Sequence, residues 1–185
     1  SRPVHPRAPL AIDLQDIARL GARLPHKLTA SQLQVASAVA KRMTEPKPLS
    51  ALLSGDVGTG KTLAFVLPAV AAQRAGAQVA IITPRTLLAD QIAGQIVHLF
   101  PEIPVERVGA GTRINDPRAL LIGTPGLATL AQKQGYVPNF LVCDEQHKFS
   151  ASAREALVGP ATHLLEVSAT PVPRSLAASL YDGLE

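Results

Sequence analysis

The sequence predicts an α/β fold of three layers, a mostly parallel central sheet with helices on both faces. Three observations point there. Short apolar runs alternate with stretches of helical period along most of the chain. The apolar residues are almost all aliphatic, with no Trp, two Tyr and four Phe in 185 residues, which suits strands buried on both faces. A glycine-rich turn, Gly55-Asp56-Val57-Gly58-Thr59-Gly60-Lys61-Thr62, lies between an apolar run and a helix-like one. That strand–loop–helix order lets backbone N–H groups crowd around a phosphate.

The elements follow in order. Ser1 to Pro9 carries three prolines and no periodicity, and reads as an irregular linker. Ile12 to Leu20 suits a short helix stopped at Gly21. Thr29 starts a stronger one: its hydroxyl caps, Gln32 completes a capping box, and Leu33, Ala36, Val39, Ala40 and Met43 form an apolar stripe. Pro46 and Pro48 close it. Leu49 to Leu53 is the first central strand, and Thr62 to Ala72 the helix leaving the glycine turn, with a bend or a lost hydrogen bond expected at Pro68. Gln78–Thr83 is a strand closed by Pro84, Leu87–Phe100 a helix, and Val105–Val108 a short strand. A loop over Gly109–Pro117 leads to a strand at Ala119–Ile122 and a short helix to about Ala131. Phe140–Cys143 is a strand, Ala151–Val158 a helix, Leu164–Val167 a strand, and Pro173–Leu180 a last helix.

Composition narrows the function only loosely. Lys and Arg outnumber Asp and Glu by 18 to 14, a balance that permits a nucleic-acid partner without demanding one. The single cysteine, Cys143, excludes an intrachain disulfide and reads as a small buried hydrophobe. No apolar run reaches the roughly 18 residues of a membrane span, and the start lacks the apolar stretch of an export signal. Together these features point to a reducing, cytoplasmic setting.

Right-handed crossovers bring the carboxyl ends of parallel strands to one edge. The glycine turn, Thr83-Pro84-Arg85, Gly123-Thr124, Asp144-Glu145 and Ser168-Ala169-Thr170 all follow strands, so they are expected to share one rim. Lys61 supplies a cation for phosphate and Thr62 a hydroxyl for Mg²⁺. Asp144, at a strand tip, suits Mg²⁺ held beside phosphates, and Glu145 can take a proton from an attacking water. A solvated turn is the plainer reading of Asp144-Glu145, and the full phosphate loop upstream weighs against it. His147 lacks the spaced partners of a metal ligand. It is read as a polar contact near the γ-phosphate that signals nucleotide state to Ser168 and Thr170.

These segments carry a family resemblance. Leu28-Thr29-Ala30-Ser31-Gln32, the loop from Gly55 to Thr62, Thr83 to Ala89, Gly123-Thr124, Asp144-Glu145-Gln146-His147-Lys148-Phe149 and Ser168 to Ala177 follow one another as motifs do in the first motor lobe of superfamily 2 helicases. The chain resembles especially the RecG-like branch, across Leu28 to about Tyr181. The phosphate loop is general to many nucleotide hydrolases, whereas the last two segments together are much more specific.

The resemblance implies a RecA-like P-loop NTPase lobe using ATP and Mg²⁺. The segment from Gly55 through Asp56, Val57, Gly58, Thr59 and Gly60 would cradle the phosphates. Lys61 would hold the β- and γ-phosphates, Thr62 and Asp144 would place Mg²⁺, and Glu145 would activate water. Gln32 would contact adenine, and His147, Ser168 and Thr170 would couple hydrolysis to movement. Arg85 and Thr124 would touch the backbone of single-stranded or branched DNA, although a solvated helix-start arginine and a simple turn residue are the plainer readings. Residues 1–27 form the linker and short helix, and 28–185 the lobe. Lys148 stands where the relatives have Arg, and Ser150 where they often have Gly. The chain ends before a second motor lobe, which would close the site in cis, so the lobe alone is expected to hydrolyse ATP slowly and not to unwind DNA. A non-catalytic DNA-binding or assembly module of the same fold, and an RNA-directed P-loop NTPase, remain open on these residues.

Overall fold

The structure, a computed structural model, describes residues 8–54, 61–109, 111–145 and 149–168. Among them lie helices α1 (Gln15–Gly21), α2 (Ala30–Met43), α3 (Lys61–Arg74), α4 (Thr86–Leu99), α5 (Leu127–Gln134) and α6 (Ala151–Leu157). The strands are β1 (Ser50–Ser54), β2 (Val79–Ile82), β3 (Val105–Val108), β4 (Leu120–Gly123), β5 (Phe140–Asp144) and β6 (His163–Ser168). They form one six-stranded sheet in the order β1-β6-β5-β2-β4-β3, and every pair is parallel.

Strand alternation divides the core into two layers around this sheet. Val79, Ile81, Phe140, Val142, Leu165 and Val167 pack with residues of α1 to α4. Ala80, Ile82, Leu141, Cys143 and Leu164 pack with α5 and α6. β2 and β4 are buried throughout, whereas β1 alternates buried residues with exposed or half-buried ones. Among the described residues β1 is therefore an edge strand, not the central strand expected. The β1–α3–β2 crossover leaves two places, which β5 and β6 fill later in the chain.

Local chemistry explains most boundaries. Thr29 caps α2 by accepting from Gln32 N–H at 3.1 Å, and Gln32 Oε1 accepts from Thr29 N–H at 2.9 Å. Helix α3 is buried on all sides from Ala64 to Ala72 and runs unbroken through Pro68. Pro68 removes one helical hydrogen bond, and the surrounding packing keeps the helix in place. Helix α1 starts three residues later than expected, because the Asp13 carboxylate accepts from Gln15 N–H at 3.0 Å and marks the turn before it.

Of the expected linker Ser1–Pro9 only Ala8 and Pro9 lie within the described residues, and the chain is packed close to that start. Ala8 and Ile12 are buried, and Leu10 N–H donates to the Met43 carbonyl at 2.8 Å. The buried His163 ring accepts from Leu49 N–H at Nδ1, 2.9 Å away, and its Nε2 meets the Ala8 carbonyl. One ring thus ties the segment before α1 to the starts of β1 and β6. The expected helix at Pro173–Leu180 lies outside the described residues.

Candidate nucleotide site and nucleic-acid rim

A parallel sheet sends the carboxyl ends of its strands to one edge, and there the structure gathers the described residues of the expected rim. Lys61 and Thr62 open α3. The partly buried Lys61 ammonium donates to the Ser168 carbonyl, the last residue of β6, at 2.8 Å. Asp144 ends β5, the strand hydrogen-bonded beside β6. Burial and the neighbouring Glu145 raise the Asp144 pKa above the ordinary carboxylate value, against an opposing pull from Lys61. A carboxylate short of positive charge, beside a helix that starts with Lys-Thr, suits a hard divalent cation bound through oxygens.

Glu145 has φ 53° and is the only non-glycine residue with positive φ among those described. The left-handed region is unfavourable for a side-chain-bearing residue, so this carboxylate sits in a strained place directly after Asp144 at the end of β5. Gly55, Asp56, Val57, Gly58, Thr59, Gly60, His147 and Thr170 lie outside the described residues.

Of the other sequence-derived candidates, Arg85 and Thr124 follow strands that end on the same edge. Gln32 uses its carbonyl oxygen in the α2 capping box, which leaves its amide N–H₂ as the group able to reach a ligand. A cavity of about 290 Å³ is lined by Leu24, Pro25, His26, Leu63, His98 and Leu99 among others. Leu63 follows Lys61 and Thr62 directly, and the Leu24–His26 segment comes just before α2. Arg85 is exposed at the N-cap of α4, where its side chain makes no capping bond. Thr124 is partly buried in the turn into α5, and its carbonyl accepts from Leu127 N–H at 2.9 Å. β2 and β4 are neighbours, and Thr83 N–H donates to the Gly123 carbonyl at 2.9 Å, so the Arg85 and Thr124 segments leave the sheet side by side. A side chain at Gly123 would place Cβ 3.2 Å from the Val108 carbonyl, so a glycine permits this close strand approach.

Two organising residues were not read from the sequence. Arg107 pairs with Asp90 at 2.8 Å and donates to the Val108 carbonyl at 2.6 Å, joining α4 to the end of β3. His163 links three segments, as described above. Neither belongs to a motif. The only sequence signal was a polar residue placed within or just before an apolar strand.

The DEAD/DEAH box helicase family model matches residues 29–178. The ATP-dependent DNA helicase RecG of Synechocystis sp. is 35% identical over 180 residues, covering 88% of this chain and 21% of that protein. RecG of Escherichia coli O157:H7 is 34% identical over 186 residues, covering 90% of this chain and 27% of its own length. The chain thus spans about a quarter of the curated relatives it matches. A solved RecG bound to a three-way DNA junction is similar with a TM-score of 0.71 and 29% identity, over 96% of this chain and 26% of that one. A DEAD box protein from Methanococcus jannaschii shares the fold, with a TM-score of 0.62 and 21% identity over 92% of this chain and 51% of that one.

Proposed function

The chain belongs to the DEAD/DEAH box helicase family, and from that premise we propose that it is the ATP-binding lobe of an ATP-dependent DNA helicase or translocase. Its substrate in this reading is single-stranded or branched DNA, gripped together with a second RecA-like lobe in cis, in a reducing cytoplasmic setting. The observation that carries the proposal is the Lys61 ammonium held 2.8 Å from the Ser168 carbonyl, one strand away from Asp144. Phosphate-binding cation, carboxylate pair and the start of the Ser-Ala-Thr segment then meet on one edge.

In this reading Lys61 and the loop from Gly55 to Gly60 bind the phosphates, and Thr62 and Asp144 hold Mg²⁺. The metal, when bound, neutralises charge on the phosphates undergoing transfer. Glu145 accepts a proton from the attacking water. The Gln32 amide and the cavity lined by Leu24, Pro25, His26 and Leu63 seat the adenine, an apolar slot beside a hydrogen-bond donor being suited to a purine. Lys61 leaves the Ser168 carbonyl to meet phosphate, so nucleotide binding is felt at the end of β6. Ser168, Thr170 and His147 pass that change on. Arg85 and Thr124 contact the DNA backbone.

Titration of the 185-residue chain with a fluorescent ATP analogue tests the reading. Binding that needs Mg²⁺ and is lost in Lys61→Ala is expected. Equal binding by that variant and the parent would remove the assigned phosphate site.

A further inference from the structure

We propose that Thr83 is a positioning residue of the nucleotide site, its hydroxyl donating to the Asp144 carboxylate in the nucleotide-bound state. The proposal rests on the ATP reading above and adds to it a residue outside the phosphate loop and the carboxylate pair.

Thr83 is fully buried, and its Oγ1 is a buried atom with no hydrogen-bond partner among the described residues. A buried hydroxyl left unpaired is unfavourable, and Val would fill the same space without one. The register says what lies beside it. β2 and β5 pair in parallel from Val79 with Phe140 to Ile82 with Cys143, and the next residues along are Thr83 and Asp144. Ile81 and Val142 both belong to the core layer under α1 to α4. By alternation, Thr83 and Asp144 share that face, the face on which α3 begins with Lys61.

Neighbouring strands lie about 4.8 Å apart, so a small side-chain rotation spans the gap between a Thr hydroxyl and an Asp oxygen. The Thr83 main chain is already fixed by its bond to the Gly123 carbonyl, so only the side chain needs to turn. A hydroxyl donor would hold the carboxylate in one orientation, which a cation-binding oxygen requires. The group is thus unfavourable at rest and is satisfied on ligand binding.

The test uses Thr83→Val, Thr83→Ala and Thr83→Ser in the 185-residue chain, read by the Mg²⁺ concentration needed to bind a fluorescent non-hydrolysable ATP analogue. Val and Ala are expected to raise that concentration about tenfold, the loss of one hydrogen bond to a charged group. Ser should stay within about twofold of the parent. Any residual binding without Mg²⁺ should match the parent, and the unliganded Val variant should melt at or above the parent temperature. In an Asp144→Asn background Thr83→Val should add nothing. Parent-like Mg²⁺ dependence in both Val and Ala, or an additive effect with Asp144→Asn, overturns the role of Thr83. A parent whose binding is indifferent to Mg²⁺ and to Lys61→Ala would instead overturn the ATP reading on which it rests.

Discussion

The Lys61 ammonium, on the first residue of α3, donates to the main-chain carbonyl of Ser168, the last residue of β6, at 2.8 Å. Phosphate would compete with that carbonyl for the same charge. Lys61→Ala is expected to weaken nucleotide binding about 100-fold, the loss of a charge-assisted contact in a partly desolvated place. The melting temperature should move by only a few degrees, since one hydrogen bond at a strand end contributes about 1 kcal/mol. Calorimetric titration with an ATP analogue and a thermal melt check the two halves.

Glu145 sits at φ 53°, a strain of about 1 kcal/mol for a non-glycine residue. Glu145→Gly should relieve it and raise the unfolding free energy by a similar amount, while removing the proposed proton acceptor. Glu145→Gln should keep nucleotide affinity and lower hydrolysis by about 10²-fold or more. Urea unfolding and single-turnover ATP hydrolysis by a longer polypeptide carrying both motor lobes would show whether stability and chemistry separate this way.

His163 makes stability depend on pH. Burial lowers its pKa, the bond to the Ala8 carbonyl opposes that, and Arg42 adds to the lowering. Nδ1 accepts from Leu49 N–H, so protonation there would break the bond. The unfolded chain takes up the proton near the ordinary value of about 6.5 and the folded chain only at lower pH. The contribution of His163 is therefore complete above about pH 6.5 and declines as pH falls through the folded pKa, by at most about 1.4 kcal/mol per unit. Unfolding of the parent between pH 5 and 8 should show this slope, and His163→Asn should lose it. His163→Leu should cost about 2–4 kcal/mol at pH 8 by stranding the Leu49 N–H and the Ala8 carbonyl.

Cys143 is buried in the middle layer of the fold, and burial, then the charge of Glu166, pushes its thiol up to about 12. The thiolate is the reactive form. The native protein at pH 8 should therefore resist an aromatic disulfide reagent, and labelling should follow the population of opened molecules as urea is added. Rapid labelling without urea would contradict this burial.

Arg85 is exposed at the start of α4 with no capping bond of its own. If it grips a phosphate of single-stranded DNA, Arg85→Ala should weaken binding uniformly across sequences. The slope of log affinity against log salt should also fall in magnitude by about 0.7 to 1. An unchanged slope would remove Arg85 from the interface.

Much of this molecule was legible in order along the chain. The apolar alternation located every described strand to within two residues, and the Thr29–Gln32 box located the start of α2, because both rest on local periodicity and local hydrogen bonds. The described strand-following residues Thr83, Arg85, Gly123, Thr124, Asp144, Glu145 and Ser168 leave the sheet at one edge because its strands are parallel. The exposure of β1 at an edge was not legible, since sheet order depends on which later strands fill a crossover.

What the sequence by itself determined, then, was the class of fold, the residue types at the candidate phosphate site and the family those residues resemble. Only the tertiary structure decided that Lys61 rests on Ser168, that His163 binds the starts of two strands to the segment before α1, and that Thr83 is buried one step beyond the Ile82–Cys143 pair with its hydroxyl unpaired among the described residues. Lys61 and Ser168 are 107 positions apart, and Leu49 and His163 are 114 apart. Periodicity and capping act within a few residues, whereas these contacts exist only after the sheet has closed and set its register.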